Sequence, residues 1–195
     1  MSYRSYQTEA LVLERRSQGE GNARFRFFTK ELGLLFASAQ GVRKESSKLR
    51  YSLEPFSELF LVLVRGKDSW RVVGASGARQ SIMALSVKKR RVLARLFNLA
   101  GRISGEEKNE YLFSTLLNGL QFLKETGELK PKELLLFETL AAARILYSLG
   151  YFRGETRHQA LFSTAGFTEE LLFAIQKERS KLVKSVNDSL KESDL

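Results

Sequence analysis

Arg24-Phe25-Arg26-Phe27 alternates charged and aromatic side chains, and this stretch decides the class of fold expected for the N-terminal part of the chain. Successive side chains of a β-strand point to opposite faces of the sheet. The alternation therefore predicts a strand that buries Phe25 and Phe27 in a core and turns Arg24 and Arg26 to the other face.

Four more strands are predicted around this one, each of them short, rich in apolar residues and bounded by polar or turn-forming residues. They cover residues 9–14, 34–39, 57–65 and 70–73, with a loop at 17–22 and turns at 32–33 and 66–69. Five short strands within the first 80 residues suggest a small closed barrel, which fits either an SH3-like barrel or an OB-fold. The long polar connection at 40–55 favours the OB-fold, which places extra structure between its third and fourth strands.

From about residue 81 the apolar residues recur every three or four positions, which is the period of an amphipathic helix. Pro131 is predicted to start a helix that Gly150 ends, and Thr168 is predicted to cap another. This last helix carries its apolar stripe on Leu172, Ile175, Leu182 and Val186. The sequence thus predicts an α+β protein, with a five-stranded OB-fold barrel over residues 1–80 and an all-helical C-terminal domain of four or five helices over residues 81–195.

The chain is strongly basic, with a net charge of +10 and an isoelectric point near 9.9. Residues 1–80 carry 14 basic and 8 acidic side chains, and residues 81–105 carry six basic and no acidic ones. Acidic side chains slightly outnumber basic ones over residues 106–195. A basic excess confined to the first half indicates a polyanionic partner for that half, and nucleic acid is favoured over an anionic membrane surface.

The composition excludes several classes of function. There is no cysteine, and the one histidine, His158, stands in a polar stretch, which rules out disulfides, thiol nucleophiles and cysteine-bound zinc. The acidic pairs Glu106-Glu107 and Glu169-Glu170 are predicted as first-turn helix acids, and the glycine clusters lack the P-loop pattern. We expect no enzyme active site, no metal and no cofactor. The N-terminus has no apolar signal segment and no apolar run approaches a membrane span, so an intracellular protein without a membrane partner is expected.

The candidate binding site is a basic segment, residues 41–51, which holds four cations, two hydroxyl groups and one aromatic ring. Cations displace the counterions condensed on phosphates, and hydroxyl groups donate to phosphate oxygens, so this composition is typical of a phosphate-binding surface. Its cations are Arg43, Lys44, Lys48 and Arg50, and Arg24, Arg26 and Lys30 extend the surface across the predicted sheet. Phe28, Tyr51 and Phe56 are candidates for stacking on bases.

A second basic run, Lys88-Lys89-Arg90-Arg91, falls on a predicted helix. The run fits three interpretations equally well: phosphate binding, contact with the acidic tail of a protein partner, and a solvated helix face. We include its four residues, Lys88, Lys89, Arg90 and Arg91, among the candidates for nucleic-acid binding.

Short motifs in a fixed order connect the chain to a known family. In the N-terminal half they are Val12-Leu13, Gly19-Glu20, Phe28-Thr29, Gly33-Leu34-Leu35, Ala39-Gln40-Gly41-Val42-Arg43, Ser47-Lys48-Leu49-Arg50, Leu53-Glu54-Pro55-Phe56 and Leu63-Val64-Arg65-Gly66, and later Phe137-Glu138 and Leu149-Gly150-Tyr151. Each motif alone is weak, but their order and spacing over roughly residues 8–153 are fairly specific. The chain resembles the RecO family of bacterial recombination mediators.

This resemblance implies an N-terminal OB-fold, a helical C-terminal domain and a function in DNA repair without catalysis. RecO proteins bind single- and double-stranded DNA, anneal complementary strands, and act with RecR, and in many bacteria with RecF, to load RecA onto DNA coated by single-stranded-DNA-binding protein. They contact the acidic C-terminal tail of that coating protein. The family's basic loop falls on Arg43, Lys44, Lys48 and Arg50, and the implied location is the bacterial cytoplasm, in association with the nucleoid.

The chain departs from the family in two places. Many members hold a four-cysteine zinc site after the Leu-Gly-Tyr segment, where this chain has residues 153–158 and no cysteine. The chain is also shorter than typical members, and the part after residue 160 is abbreviated. Two other interpretations stay open: an RNA-binding OB-fold module, and an interaction scaffold that binds no nucleic acid.

Overall fold

A computed structural model describes residues 4–67, 69–79, 85–152 and 159–192. The chain divides into two compact units, the first formed by residues 1–82 with 104–109 and the second by residues 83–103 with 110–195. The short segment 104–109 thus belongs to the first unit, although it follows a helix of the second. Among the described helices, none combines the length and the apolar character needed to cross a membrane.

The first unit is a closed five-stranded barrel. Its strands are β1 (Ser5–Gln18), β2 (Asn22–Thr29), β3 (Gly33–Ala39), β4 (Glu58–Arg65) and β5 (Trp70–Arg79), in the spatial order β1-β2-β3-β5-β4. All neighbours pair antiparallel except β3 and β5, whose short parallel pairing closes the barrel. A short helix, α1 (Leu49–Ser52), lies in the connection between β3 and β4. The predicted OB-fold is therefore confirmed.

Side-chain alternation along β2 is the predicted one. Phe25 and Phe27 are buried in the barrel core, whereas Arg24 is exposed and Arg26 is half-buried. The core is completed by small and branched residues from every strand, among them Ala10, Val12, Leu35, Ala37, Leu61 and Val72. Successive side chains point to opposite faces of a strand, so the residues between these core positions lie on the outer surface of the barrel. Irregularities in the pairing of β1 with β2, between Val12 and Glu14, and at two points in the pairing of β4 with β5 shift this alternation by one residue.

Two strands are longer than the sequence predicted. β1 continues to Gln18, which pairs with Asn22, so only residues 19–21 form the turn that was expected to span 17–22. Gly19, with φ at +63°, makes this tight reversal possible. β5 runs to Arg79 rather than ending at Val73. Polar side chains hid the extension of β1, because they break its apolar run. The extension of β5 was hidden because the glycine-rich stretch from Gly74 to Gly77 lacks the apolar residues on which the prediction depended.

The start of β3 is fixed by the segment 104–109. The backbone N–H of Leu34 donates to the carbonyl of Gly105 at 3.0 Å. Gly33 has φ at +65°, and a Cβ atom there would lie 2.3 Å from the carbonyl oxygen of Glu107. Glu106 and Glu107 were predicted as first-turn helix acids, and this prediction is wrong, since both precede the next helix and form this contact instead.

The second unit is helical. Within its described residues it has six helices: α2 (Val87–Ile103), α3 (Glu110–Glu125), α4 (Pro131–Ser148), α5 (Gln159–Phe162), α6 (Glu169–Ala174) and α7 (Arg179–Glu192). The sequence predicted four or five. The mostly buried helix α4 packs against all the others, which makes it the centre of this unit.

Helix ends in this unit follow the sequence signals, with one exception. Pro131 starts α4, Gly150 follows its end with φ at +78°, and the Thr168 hydroxyl accepts a hydrogen bond from the backbone N–H of Leu171 at the start of α6. The predicted last helix, however, is broken at 175–178. Hydrogen bonds between residues three apart replace the α-helical pattern there, so that its apolar stripe is divided between α6 and α7.

Replacing Gly33 by alanine tests the close approach at β3. Gly19→Ala is a matched control, because Gly19 has a similar positive φ but no atom within 4 Å of the position that a Cβ would occupy. The control should lose about 1 kcal/mol of unfolding free energy from the left-handed backbone alone, and Gly33→Ala about 1–3 kcal/mol more from the steric clash. Urea unfolding followed by fluorescence of Trp70, the one tryptophan of the chain, measures both losses. Equal losses would contradict the packing of segment 104–109 on Gly33.

Candidate nucleic-acid interface

The basic segment, residues 41–51, is held on the barrel by apolar anchors. Val42 within it and Leu53 just after it are fully buried in the barrel core, and Leu49 packs against the same core. The cations between these anchors remain outside: Arg43, Lys44 and Lys48 are exposed, and Arg50 is half-exposed. The segment therefore presents its charges from a fixed backbone rather than from a loosely attached loop.

The same segment is joined to the turn between β1 and β2. The backbone N–H of Arg43 donates to the carbonyl of Gly21 at 3.0 Å, and its guanidinium donates to the carbonyl of Gly19 at 2.8 Å. The side-chain amide oxygen of Asn22 accepts a hydrogen bond from the backbone N–H of Gly41 at 2.9 Å. These contacts bring Arg43 and Lys44 to the end of β2 at which Arg24 lies.

A row of cross-strand neighbours continues this surface across the outside of the barrel. Arg16 pairs with Arg24, Arg24 with Ser38, and Ser38 with Arg71. The three arginines are exposed and Ser38 is half-exposed. With strands about 4.8 Å apart, the row spans about 14 Å over four strands. We call these four residues the arginine row. OB-folds bind oligonucleotides on the face of their second and third strands, which the row crosses.

Beside the row lies an exposed aromatic ring, Phe36 of β3, which is 40% exposed. The guanidinium carbons of Arg24 and Arg26 each lie 5.3 Å from its ring centroid, within cation–π range. Glu14 is the acidic neighbour: its carboxylate pairs with Arg26 at 3.2 Å and also with Arg16. These side chains line a shallow cavity of about 160 Å³.

Sequence reasoning missed Arg16, Phe36 and Arg71. The apolar stretch from Leu34 to Ala37 does not alternate, so it does not reveal which side chain faces outward. Arg16 lay beyond the predicted end of β1. Only the strand register, in particular the parallel pairing of β3 with β5, brings Arg71 beside Ser38.

The prediction that Phe28 stacks on bases is wrong, because its ring is fully buried. Tyr51 is 72% exposed and stays a candidate, while Phe56 is half-buried. Lys30 lies at the opposite end of β2 from the basic segment, where its ammonium pairs with Glu9 at 3.0 Å. We therefore leave Lys30 out of the proposed surface, which keeps Arg24 and Arg26.

The prediction that Lys89 of the second basic run contacts nucleic acid is also wrong. Its side chain is only 6% exposed. The ammonium donates to the carbonyls of Leu123, Thr126 and Gly127 at 2.8, 2.6 and 2.8 Å, at the C-terminal end of α3. Carbonyl groups at a helix end lack partners within the helix and carry its negative dipole end, so a cation is stabilised there. Burial lowers the pKa of Lys89, and the charge of Glu128 partly opposes this effect.

The other members of the second run lie at the surface. Lys88 and Arg91 are exposed and Arg90 is half-exposed on α2. A role in DNA binding stays a prediction for these three residues.

The sequence predicted no metal site, and the segment that matters most for this prediction is residues 153–158. His158 and the rest of 153–158 lie outside the described residues. A four-cysteine zinc site cannot form in a chain without cysteine. Within the described ranges, no three acidic or histidine side chains come together as metal ligands would.

The fold and its basic face define the chain as an OB-fold protein with an appended helical unit, and comparison with known proteins gives its family. Residues 1–80 match the family model described as "Recombination protein O N terminal". The chain is 35% identical over 150 residues to a "DNA repair protein RecO" from Heliobacterium modesticaldum, a match that covers 76% of this chain and 52% of that protein. Residues 1–80 thus form the N-terminal domain of the RecO family of DNA repair proteins, and the similarity to this relative extends over about three quarters of the chain.

Two further relatives carry the same description. The protein from Alkaliphilus metalliredigens is 30% identical over 144 residues, covering 64% of this chain and 58% of the relative. The protein from Pelotomaculum thermopropionicum is 30% identical over 120 residues, covering 60% and 47%. The chain thus spans about half the length of the curated relatives it matches.

The structural role of Lys89 predicts a stability effect. Lys89→Met keeps most of the side-chain volume but leaves three carbonyl groups without their donor, and we expect it to lower the unfolding free energy by about 2–4 kcal/mol. Lys88→Met, next to it on the exposed side of α2, should change the unfolding free energy by no more than about 0.5 kcal/mol. Urea unfolding followed by far-UV circular dichroism compares the two variants. A Lys89→Met protein as stable as Lys88→Met would contradict the capping role.

Proposed function

We propose that the barrel binds single- and double-stranded DNA through the basic segment and the arginine row. The single observation that carries this proposal is their continuity: Arg43 and Lys44 are hydrogen-bonded or packed against the turn that leads into β2, beside Arg24 of the row. This surface offers exposed cations on the face that OB-folds use for oligonucleotides. The match of the barrel to the N-terminal domain of a family of DNA repair proteins supports DNA as the polyanion.

The proposed mechanism is electrostatic rather than catalytic. Cations that neutralise the phosphates of two strands at once lower the repulsion between the strands and release condensed counterions. Contacts to phosphates leave the base edges free to pair with a complementary strand. Such a surface would promote annealing without breaking or forming any covalent bond.

In this proposal the helical unit supplies contacts to proteins. By analogy with the family, the partners are RecR, in many bacteria RecF, and the acidic C-terminal tail of the single-stranded-DNA-binding protein, and the outcome is loading of RecA onto coated DNA. Lys88, Arg90 and Arg91 are candidate contacts for such a tail or for additional phosphates. The protein would act in the bacterial cytoplasm at the nucleoid.

Reversing the charge of the basic segment tests the proposal. The variant in which Arg43, Lys44, Lys48 and Arg50 are all replaced by Glu should lose binding to a fluorescent oligodeoxynucleotide at physiological salt, because the segment would then repel phosphates. At low salt, the logarithm of the residual affinity should fall less steeply with the logarithm of the salt concentration than it does for the unmodified protein. The slope should be smaller by about 3, because each phosphate that is no longer neutralised contributes about 0.7. Fluorescence anisotropy over a salt series measures both quantities.

A matched control separates location from net charge. Replacing Lys132, Lys177, Lys181 and Lys184 by Glu changes the net charge equally, and all four are exposed residues of the helical unit. This control should keep most of its DNA affinity. Equal loss in both variants would contradict the proposed site. Tighter binding of the unmodified protein to RNA than to DNA of equal length would favour an RNA-binding module instead.

A further inference from the structure

We propose that Phe36 is a base-stacking residue, which gives the barrel a preference for DNA with unpaired bases. This inference rests on the proposed function, because it assigns a specificity to the same DNA-binding face. The neighbouring residues of β3, Leu35 and Ala37, are buried in the core, whereas Phe36 faces outward with 40% of its surface exposed.

The surroundings of the ring are those of a nucleotide site rather than of a protein core. Phe36 pairs across the strands with Arg26, and two guanidinium groups lie 5.3 Å from its centroid. Arg26 is held in place by Glu14, and its side chain is mostly buried. Arg24 is exposed and belongs to the arginine row. A phosphate bound by the row therefore brings its own base close to the ring.

The space beside the ring suits a single aromatic group. The shallow, open cleft that Phe36 lines with Glu14, Arg16, Arg24 and Arg26 has a volume of about 160 Å³, which is room for about one aromatic ring. Bases stack on aromatic rings and on arginine planes, and this cleft supplies both. A base in a double helix is already stacked and paired, so a duplex can offer its phosphates to the arginines but no free base to Phe36.

The test compares Phe36→Ala with the unmodified protein on three probes of equal length: a single-stranded oligothymidylate, a strand with the same phosphates but abasic sugars, and a duplex. We expect the substitution to weaken binding of the single strand about tenfold, since the base loses the aromatic ring on which it stacks. Binding of the abasic strand and of the duplex should change less than twofold. Phe36→Trp, which keeps a stacking surface, should retain the affinity for the single strand.

Phe60→Ala is the matched control, because Phe60 is another exposed phenylalanine of the barrel, 56% exposed on β4, and pairs with Glu9 and Ser76 rather than with the arginine row. It should bind all three probes as the unmodified protein does. The inference is overturned if Phe36→Ala binds the single strand normally, or if it weakens all three probes equally. If the unmodified protein binds none of the probes, the proposed function itself fails, and this result is distinct from the other two.

Discussion

The two-residue period of the β-strand is the constraint on which the rest of the structure depends. A barrel this small must fill its interior with side chains, and β2 supplies Phe25 and Phe27 to that interior. Arg24 and Arg26 are then obliged to face outward, since no other direction is open to them. The same rule turns Ser38 of β3 and Arg71 of β5 to the outer face. On β1 an irregularity in the pairing between Val12 and Glu14 shifts the alternation by one residue, so that Arg16 also faces outward, beside Arg24.

Closure of the barrel therefore creates the candidate site as well as the core. The parallel pairing of β3 with β5 is short, yet it brings Arg71 next to Ser38. Between β3 and β4, the connection is long enough to return along the barrel, where Val42 and Leu53 are buried in the core. The cations between these two anchors are thereby kept at the surface. Apolar burial thus determines the position of the charges, although the charges themselves contribute little to stability.

The sequence was informative where one residue type had a single acceptable environment. Alternating Arg and Phe residues predicted β2 and its faces, and Pro131, Gly150 and Thr168 predicted helix ends. It was uninformative where tertiary contacts decide. Phe28 is buried although β2 alternation places it with the arginines, and Lys89 is buried because the end of α3 offers three carbonyl groups. Arg24 was predicted to face outward, but neither the exposure of Phe36 nor the alignment of Arg24 with Arg16 and Arg71 could be predicted, because cross-strand register is not visible in one strand's sequence.

Chemical footprinting of arginine and lysine side chains, with and without bound single-stranded DNA, would show which part of the chain binds DNA. Mass spectrometry would measure the reactivity of each modified residue. We expect DNA to protect Arg24, Arg43, Lys44, Lys48 and Arg71, and to leave Lys132, Lys177 and Lys184 as reactive as in the free protein. Protection confined to the helical unit, with the barrel cations still fully reactive, would contradict the claim that the barrel is the DNA-binding part of the chain.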